Sequence, residues 1–413
     1  MKILAKAESG YASCLLKPQH KAYLSAASGK GFLATENIRK SVIEKATRIV
    51  IKLGSNVLTT PGWKLDRKVF ADIARTIAKA KKRKHEFILV SSGAIAAGMG
   101  TLGFSERPKL IPLEQAAAAI GQISLMGLYQ RLFSQYGFSV AQVLLTHSDL
   151  KDRKRFLNAR HALSSLLAYD VIPVINENDS TVVDEIRFGD NDHLSALVTN
   201  LVQADLLVIL TDIDGLYDRD PKTSPKARLI PLVENVTAGI EKLANGTRST
   251  ISRGGMITKV AAARTAALFG VPTIIANGKT PGNLDKILQG RDAGTLFLSE
   301  QNKLTSRKHW IAFTLKPLGE IIVDDGAKEA ILAKGKSLLP SGILRVQGEF
   351  DAGEAVACCD QDGAEFARGL ARYSSSDIVK IRGCKTAEIK KVLGNCPAQE
   401  VINRDDLVVL KEI

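Results

Sequence analysis

The chain has 413 residues, of which 45% are hydrophobic and 24% charged, and it carries a formal net charge of +14. This length indicates two domains, and the composition is ordinary for a soluble globular protein. No apolar stretch approaches the roughly 18 residues of a membrane-spanning helix, and the cysteines lack the spacing of a zinc site or disulfide framework, so the sequence predicts reduced thiols in a cytoplasmic protein.

The first predicted zone, residues 1–45, is a basic extension in which no strand or helix period is sustained. Residues 1–48 contain nine Lys or Arg and three Glu. Three interpretations stay open: a transit peptide, a loose tail, or an upstream stretch that a wrong start codon has added. The cytoplasmic prediction therefore leaves open the possibility that residues 1–45 target an organelle.

The second zone, residues 46–305, alternates apolar runs with helical patterns. The predicted strands are Thr47–Leu53, Glu86–Val90, Val140–Leu145, Val171–Ile175, Leu206–Leu210 and Val271–Ala276. The predicted helices include Val69–Lys84, Leu113–Phe133 and Lys259–Phe269. Strands with few polar residues, interleaved with helices, indicate an α/β fold with an open, mostly parallel sheet between two layers of helices.

The third zone begins near residue 306, where the pattern changes to short strands and tight turns. One predicted helix, Ala327–Lys334, interrupts them. This pattern is typical of a small mixed-β, barrel-like domain, which we place at residues 315–402.

Two predicted strand-end loops suit anions, although the usual phosphate-loop and dinucleotide signatures are absent. Lys52 lies in an otherwise apolar strand that ends at Gly54, so it is either a phosphoryl contact or a snorkelling edge-strand lysine. Residues Ser91–Gly98 form a small-residue turn that opens a helix and exposes backbone N–H groups. Because ligands bind at the carboxyl ends of parallel strands, we expect these loops to converge.

The densest polar cluster follows the predicted strand Val171–Ile175. It comprises Asn176–Asp179, Glu185 and Gly189–Asp192. Such a group of carboxylates and amides could bind an amino group, a metal or a lysine, or it could be a solvated loop. Its spacing does not match a twelve-residue calcium loop, and we predict no metal ligands in it.

A fourth loop pair completes the predicted site. Thr211 and Asp212 end a buried strand, and Arg253–Lys259 combines a glycine pair with a helix start. Lys52 and Lys259, from opposite halves of the sheet, could hold a transferring phosphoryl group from both sides. Phosphoryl transfer needs mainly such positioning and charge neutralisation.

Taken in order, the motifs KLGSNVLT, SSGAIAAG, RFLNARH, PVINEND, GDNDHLSAL, LLTDIDGLY and GGMITK resemble those of the glutamate 5-kinases of the amino-acid-kinase superfamily. The segments LGEIIVDDGAKEAIL and SLLPSGI resemble the PUA domain that many members carry, so the resemblance runs from about Arg48 to the end. INEND together with GDND favours this family over kinases that act on another carboxylate or carbamate.

The resemblance implies roles for individual residues. Lys52 and Lys259 would stabilise the transferred phosphoryl group, and Asp192 would hold both lysines. The residues implied in glutamate binding are Ser92, Asp179, Asp190 and Asn191. Those implied in nucleotide binding are Lys52, Thr211, Asp212, Arg253, Gly254, Gly255, Met256, Ile257, Thr258 and Lys259. ATP would be the phosphoryl donor, with Mg²⁺ carried by the nucleotide.

The implied product is γ-glutamyl phosphate, an unstable acyl phosphate formed in the first step of proline synthesis. The resemblance also implies a homo-oligomer (tetramer or dimer), functional coupling to γ-glutamyl phosphate reductase, and inhibition by proline. One departure lies in the nucleotide loop, where the family often has Gly-Thr and this chain has Ser252-Arg253. Arg253 either adds a nucleotide contact or points to solvent.

RNA binding is the alternative from another class, because PUA domains elsewhere contact RNA. Residues 306–413 contain sixteen basic and sixteen acidic residues. This balance argues against strong, salt-sensitive binding through the C-terminal domain alone, although a neutral total can include a basic face. The remaining excess of positive charge, in the middle of the chain, suits anionic small substrates.

Overall fold

The computed structural model describes residues 29–82, 85–181, 191–245, 255–299, 308, 311–312, 315–394 and 398–410. Three residues of the predicted site, Asp190, Arg253 and Gly254, lie outside these ranges.

The described elements follow the alternation that the sequence predicts. The strands are β1 Arg48–Leu53, β2 Thr59–Thr60, β3 Lys64–Leu65, β4 Glu86–Ser91, β5 Val140–Leu145, β6 Ile172–Glu177, β7 Leu206–Thr211, β8 Leu232–Val233, β9 Thr273–Asn277, β10 Thr295–Phe297, β11 Gly319–Val323, β12 Ile343–Gly348, β13 Ala355–Cys359, β14 Glu365–Leu370 and β15 Leu407–Val409. The helices are α1 Gly29–Lys45, α2 Ser55–Leu58, α3 Arg67–Lys81, α4 Ala94–Leu102, α5 Ile111–Ser134, α6 His147–Lys151, α7 Arg153–Ala168, α8 Asn191–Leu201, α9 Ala238–Asn245, α10 Met256–Leu268, α11 Asn283–Leu288, α12 Asp325–Lys334, α13 Ser375–Ile381 and α14 Ile389–Leu393. None of the helices in the described part of the chain has the length and apolarity to cross a bilayer.

The first domain is built on an eight-stranded sheet in the order β5-β6-β4-β1-β7-β9-β10-β8. The strands from β5 to β9 are parallel, whereas β10 pairs antiparallel with β9 and parallel with β8. The predicted α/β class with a mostly parallel sheet is confirmed.

The central strand β1 is buried on both faces, and its alternation decides where Lys52 points. Val50 packs in one apolar cluster with residues of α8 and α10, while Ile49 and Ile51 pack in a second cluster with residues of α3 and α5. Successive side chains of a strand face opposite sides of the sheet. Lys52 therefore shares the face of Val50, beneath α8 and α10.

The prediction that residues 1–45 sustain no helix is wrong for α1, which occupies residues 29–45. Thr35, Arg39 and Ile43 are buried at four-residue spacing, so one face of this helix packs against the first domain. Two of these three residues are polar, and this is why hydrophobic periodicity does not mark the helix.

Arg39 anchors α1 to the sheet edge. Its guanidinium donates hydrogen bonds to the carbonyl oxygens of Ala293 (2.9 Å), Gly294 (2.7 Å) and Pro231 (2.8 Å) and lies 3.3 Å from a carboxylate oxygen of Asp292. These partners flank β8 and β10. The helix thus holds together the short strands at the end of the sheet.

We expect Arg39→Ala to lower the free energy of unfolding by about 3 kcal/mol, because it leaves three carbonyl groups and a carboxylate without their buried donor. Chemical denaturation followed by circular dichroism measures this change. Lys40→Ala is the matched control, because Lys40 is half-exposed and its ion pair in the described part of the chain is with Glu36 on the same helix face. Equal stability of the two variants would contradict the anchoring role of Arg39.

The C-terminal domain has its own five-stranded mixed sheet in the order β12-β11-β13-β14-β15, as predicted. Its core is a separate apolar cluster that includes Ile321, Val356 and Ile378. Arg368 of β14 donates hydrogen bonds to the carbonyl oxygens of Ala312 (3.0 Å) and Leu315 (3.2 Å), which lie in the chain between β10 of the first sheet and β11 of the second.

Candidate active site

Three charged side chains meet at the carboxyl end of the central strand. The ammonium nitrogen of Lys52 lies 2.6 Å from Oδ1 of Asp192, and that of Lys259 lies 3.1 Å from Oδ2 of the same carboxylate. Lys52 comes from β1, Asp192 from the first turn of α8 and Lys259 from the first turn of α10. All three are at most 6% exposed, so the sequence-predicted catalytic residues form one buried cluster, which we call the Lys-Asp-Lys cluster.

Asp192 stays ionised in this cluster. Burial alone would raise the pKa of its carboxyl group, but the ammonium groups of Lys52 and Lys259 outweigh burial and hold the pKa well below its usual range. The hydroxyl of Thr258 donates a further hydrogen bond of 2.7 Å to Oδ2. Two cations and one anion leave a net positive charge, which suits a phosphoryl group.

Two glycines border this charge. A Cβ atom added to Gly54 would lie 3.6 Å from the ammonium nitrogen of Lys52, and the carbonyl oxygen of Gly255 lies 3.4 Å from the ammonium nitrogen of Lys259. Gly255 precedes α10, and among the described residues no side-chain hydrogen bond caps this 13-residue helix. The first N–H groups of α10 and its positive dipole end therefore belong to residues Met256–Lys259, which the sequence predicts to bind nucleotide.

Thr211 and Asp212 follow at the end of β7, next to β1 in the sheet. The Thr211 hydroxyl donates to Asp212 (3.2 Å), and the side-chain amide of Asn56 donates to the other carboxylate oxygen (3.0 Å). Burial raises the pKa of Asp212, but the hydrogen bonds from Asn56 and Thr211 and the charge of Lys259 lower it overall. This exposed, ionised carboxylate lies on the same edge of the sheet as the Lys-Asp-Lys cluster.

On the other side of β1, amide groups surround Ser92. The Nδ2 atom of Asn191 donates hydrogen bonds to the Ser92 hydroxyl (2.9 Å), the Ser91 carbonyl oxygen (3.3 Å) and Oδ1 of Asn176 (3.0 Å). The Oδ1 atom of Asn191 is buried and has no hydrogen-bond partner among the described residues. Ser92 and Asn191, both predicted to bind substrate, are thus in direct contact, and Asn191 contributes a buried acceptor whose partner is not among the described residues.

Asp179 lies partly buried just beyond β6. Burial raises its pKa to about 7, and the carboxylates of Glu177 and Glu114 act in the same direction, while Arg107 opposes them. A carboxyl group whose pKa is strongly raised by burial and neighbouring carboxylates is a common feature of functional sites.

Sequence reasoning gave no role to two residues of the site. Asn176 appears in the polar cluster, but only the structure shows that it bonds Asn191. Gln122, on α5, bonds Asn176 at 2.9 Å. Its only sequence signal is a polar residue on the buried side of an Ala-rich helix.

Comparison with known families agrees with this fold. The family described as the amino acid kinase family matches residues 47–277, and the PUA domain matches residues 319–393. The first match spans more than half of the chain, which therefore belongs to the amino acid kinase family. The resemblance found in the sequence is confirmed for both domains.

Similar full-length proteins narrow the class. The glutamate 5-kinases of Geobacter sulfurreducens and Pelobacter propionicus are each 53% identical over 373 residues, covering 90% of this chain and 100% of each relative. Among solved structures, a carbamate kinase from Giardia lamblia bound to AMP-PNP matches 62% of this chain and 99% of its own, with 19% identity and a TM-score of 0.45. On the strength of the two full-length relatives, the chain belongs with the glutamate 5-kinases.

Proposed function

We propose that the protein transfers the γ-phosphoryl group of ATP to the γ-carboxylate of L-glutamate and releases γ-glutamyl phosphate and ADP. The Lys-Asp-Lys cluster carries this proposal, because it combines two buried ammonium groups with a carboxylate that holds them in place. Asn191 directly precedes Asp192 and contacts Ser92, and these two residues together with Asp179 have the chemistry to bind an amino acid.

In the transfer, a γ-carboxylate oxygen of glutamate attacks the γ-phosphorus of ATP, and the bond from that phosphorus to the bridging oxygen of ADP breaks. The nucleophile is already ionised at neutral pH, so the step needs no general base. Lys52 and Lys259 neutralise charge on the transferring group, and Asp192 fixes the position of both ammonium groups.

ATP would bind against Thr211, Asp212 and the loop Arg253–Lys259. The N-terminus of α10 would supply N–H donors for its phosphates. The ionised carboxylate of Asp212 would suit Mg²⁺ carried by the nucleotide, and the charge of that cation would neutralise phosphate charge.

An ATP-dependent hydroxamate assay tests this function. Hydroxylamine converts an acyl phosphate to a hydroxamate, and we expect a signal with L-glutamate but none with aspartate or N-acetylglutamate. Lys259→Met and a reaction without ATP are the negative controls. Equal signals with all three acceptors, or none in folded protein with Mg²⁺, would refute the proposed substrate.

The pH dependence of kcat/KM for glutamate tests the role of Asp179. Only the ionised carboxylate attracts the substrate ammonium, and with the raised pKa of about 7 the carboxyl group is half protonated near neutrality. We therefore expect kcat/KM to fall as the pH drops below about 7, approaching tenfold per pH unit, since kcat/KM reports the free enzyme. The Asp179→Asn variant should have a low kcat/KM without this inflection. An unchanged inflection in that variant would mean that the inflection belongs to another group.

RNA binding is a second candidate, favoured by a groove of about 810 Å³ in the C-terminal domain. The groove is lined by α12 and the loop after it, with the basic side chains of Lys336 and Arg404 beside Ser337 and Ser341. Gel shifts with single-stranded RNA at two salt concentrations test it. We expect binding that weakens with salt and is lost in Arg404→Glu, and no shift at low salt would exclude this function.

The remaining partners are proposals of the same kind. An acyl phosphate hydrolyses readily, which favours direct consumption of the product by γ-glutamyl phosphate reductase. Assembly as a homodimer or tetramer and inhibition by proline are proposed from the resemblance of the sequence motifs to those of the glutamate 5-kinases. Light scattering measures the oligomeric state, and the hydroxamate assay with added proline measures the inhibition.

A further inference from the structure

A continuous series of side-chain hydrogen bonds runs from the sheet edge to the proposed substrate site. Nε2 of Gln122 donates to Oε1 of Gln142 (3.0 Å), and Oε1 of Gln122 accepts from Nδ2 of Asn176 (2.9 Å). Oδ1 of Asn176 accepts from Nδ2 of Asn191 (3.0 Å), which also reaches the hydroxyl of Ser92 (2.9 Å). We call these four amides the amide relay. It connects β5, α5, β6 and α8.

The relay has a single consistent direction. Each side-chain amide has one acceptor oxygen and one NH₂ donor, so reversing any member would place two oxygens or two NH₂ groups face to face. The backbone N–H of Glu177 donates to Oδ1 of Asn176 (2.9 Å), which fixes the orientation of that amide. Gln122, only 8% exposed, supplies the acceptor for the other end of Asn176.

The direction of the relay fixes the orientation of the side-chain amide of Asn191. Its Nδ2 atom faces three acceptors, one of which is Oδ1 of Asn176. Its Oδ1 atom is therefore turned the other way, where it is buried without a described hydrogen-bond partner. A buried acceptor without a partner costs free energy until a donor arrives. A substrate ammonium group is such a donor.

We propose that Gln122 is a positioning residue for the substrate: through Asn176 it fixes the amide of Asn191 so that Oδ1 accepts a hydrogen bond from the α-ammonium of the bound amino acid. This inference rests on the proposed function, because it takes glutamate as the occupant of the site. It predicts that Gln122 affects the binding of glutamate and leaves the binding of ATP unchanged.

The primary test is Gln122→Leu in the full-length protein, assayed for the KM of each substrate. We expect the KM for glutamate to rise about tenfold, the equivalent of one hydrogen bond, with the KM for ATP unchanged and kcat lowered by less than about threefold. Gln130→Leu is the matched control, because it makes the same change on the exposed side of the same helix. Gln130 also forms side-chain hydrogen bonds, to Ser134 and to the backbone of Val140.

A second-site rescue separates positioning from folding. In Gln122→Glu one carboxylate oxygen still accepts from Asn176, but the other faces Oε1 of Gln142, and the KM for glutamate should rise. Adding Gln142→Lys supplies a donor to that oxygen and should restore the KM to within about threefold of the wild type, a coupling that independent effects would not produce.

If every Gln122 variant fails to fold, Gln142→Leu still tests the relay, because Gln142 is exposed. This variant should raise the KM for glutamate about threefold, because one hydrogen bond of the relay is weakened. The proposal is overturned if KM for glutamate in these variants matches that of Gln130→Leu, or if both KM values change together. Failure of the proposed function looks different, because the wild-type protein would then give no glutamate-dependent signal.

Discussion

Replacing Lys259 with methionine lowers kcat by an expected 10²- to 10³-fold, roughly the effect of removing one preorganised donor to a reacting group. Methionine fills similar volume without the charge, so the change removes the ammonium and little packing. Single-turnover phosphorylation of glutamate, measured with saturating ATP, reports the chemical step directly. Lys52→Met should lower kcat by a similar factor, because the ammonium group of Lys52 contacts the other oxygen of Asp192.

The control for this prediction is Lys79→Met, which neutralises an exposed lysine on α3 that pairs with Asp285. It should keep wild-type kcat and KM. Turnover within threefold of the wild type in either Lys52→Met or Lys259→Met would remove that lysine from the proposed mechanism. A rise in the KM for ATP with unchanged kcat would make it a binding residue only.

Much of the fold follows from local patterns in the sequence. β5 has the predicted bounds, and β1, β4, β6, β7 and β9 differ from prediction by at most two residues at either end. These strands are apolar runs bounded by turns, the strongest signal for buried parallel strands. Helix α1 was missed because its stability comes from tertiary contacts: Arg39 finds its acceptors more than 190 residues away in the chain.

The residues of the site likewise differ in how far the sequence predicts them. Lys52, Asp192 and Lys259 stand out because charged residues in apolar or glycine-rich contexts are unusual, and sheet topology then brings the strand ends together. The amide relay has no such signal, because an isolated Gln on a long helix is ordinary. Its hydrogen bonds depend on the neighbouring positions of β5 and β6 beneath α5, which no local pattern specifies.

Asp192 places a negative charge between the two lysines of the site, although phosphate binding by itself requires only their positive charges. Two buried lysines without Asp192 would repel each other and shift their protons to solvent, because burial disfavours unpaired charge. With Asp192 the pair stays charged and its ammonium groups converge on one place. The carboxylate thus keeps the lysines charged and in position. Its removal should therefore lower both the stability of the protein and its catalytic activity.

Asp192→Asn therefore combines a large loss of stability with a large loss of activity. It leaves two buried ammonium groups without their counter-ion, which should lower the free energy of unfolding at neutral pH by about 3–5 kcal/mol. The folded-state pKa of Asp192 is depressed, so its stabilising contribution is present above the unfolded pKa of about 3.9 and is lost as the pH falls through the folded value. The difference between wild type and variant should narrow in acid, as denaturation between pH 3 and 8 measures.

Removing one lysine at the same time tests whether charge imbalance is the cause. Asp192→Asn combined with Lys52→Met leaves a single buried ammonium in place of two, so the double variant should be more stable than Asp192→Asn alone by at least about 1 kcal/mol, a coupling expected for residues in contact. Its activity should stay as low as that of the single variants, because the phosphoryl contact is still missing. Additive losses of stability would instead show that Asp192 and Lys52 act independently, and the carboxylate would then stabilise the fold through Thr258 and Lys259 alone.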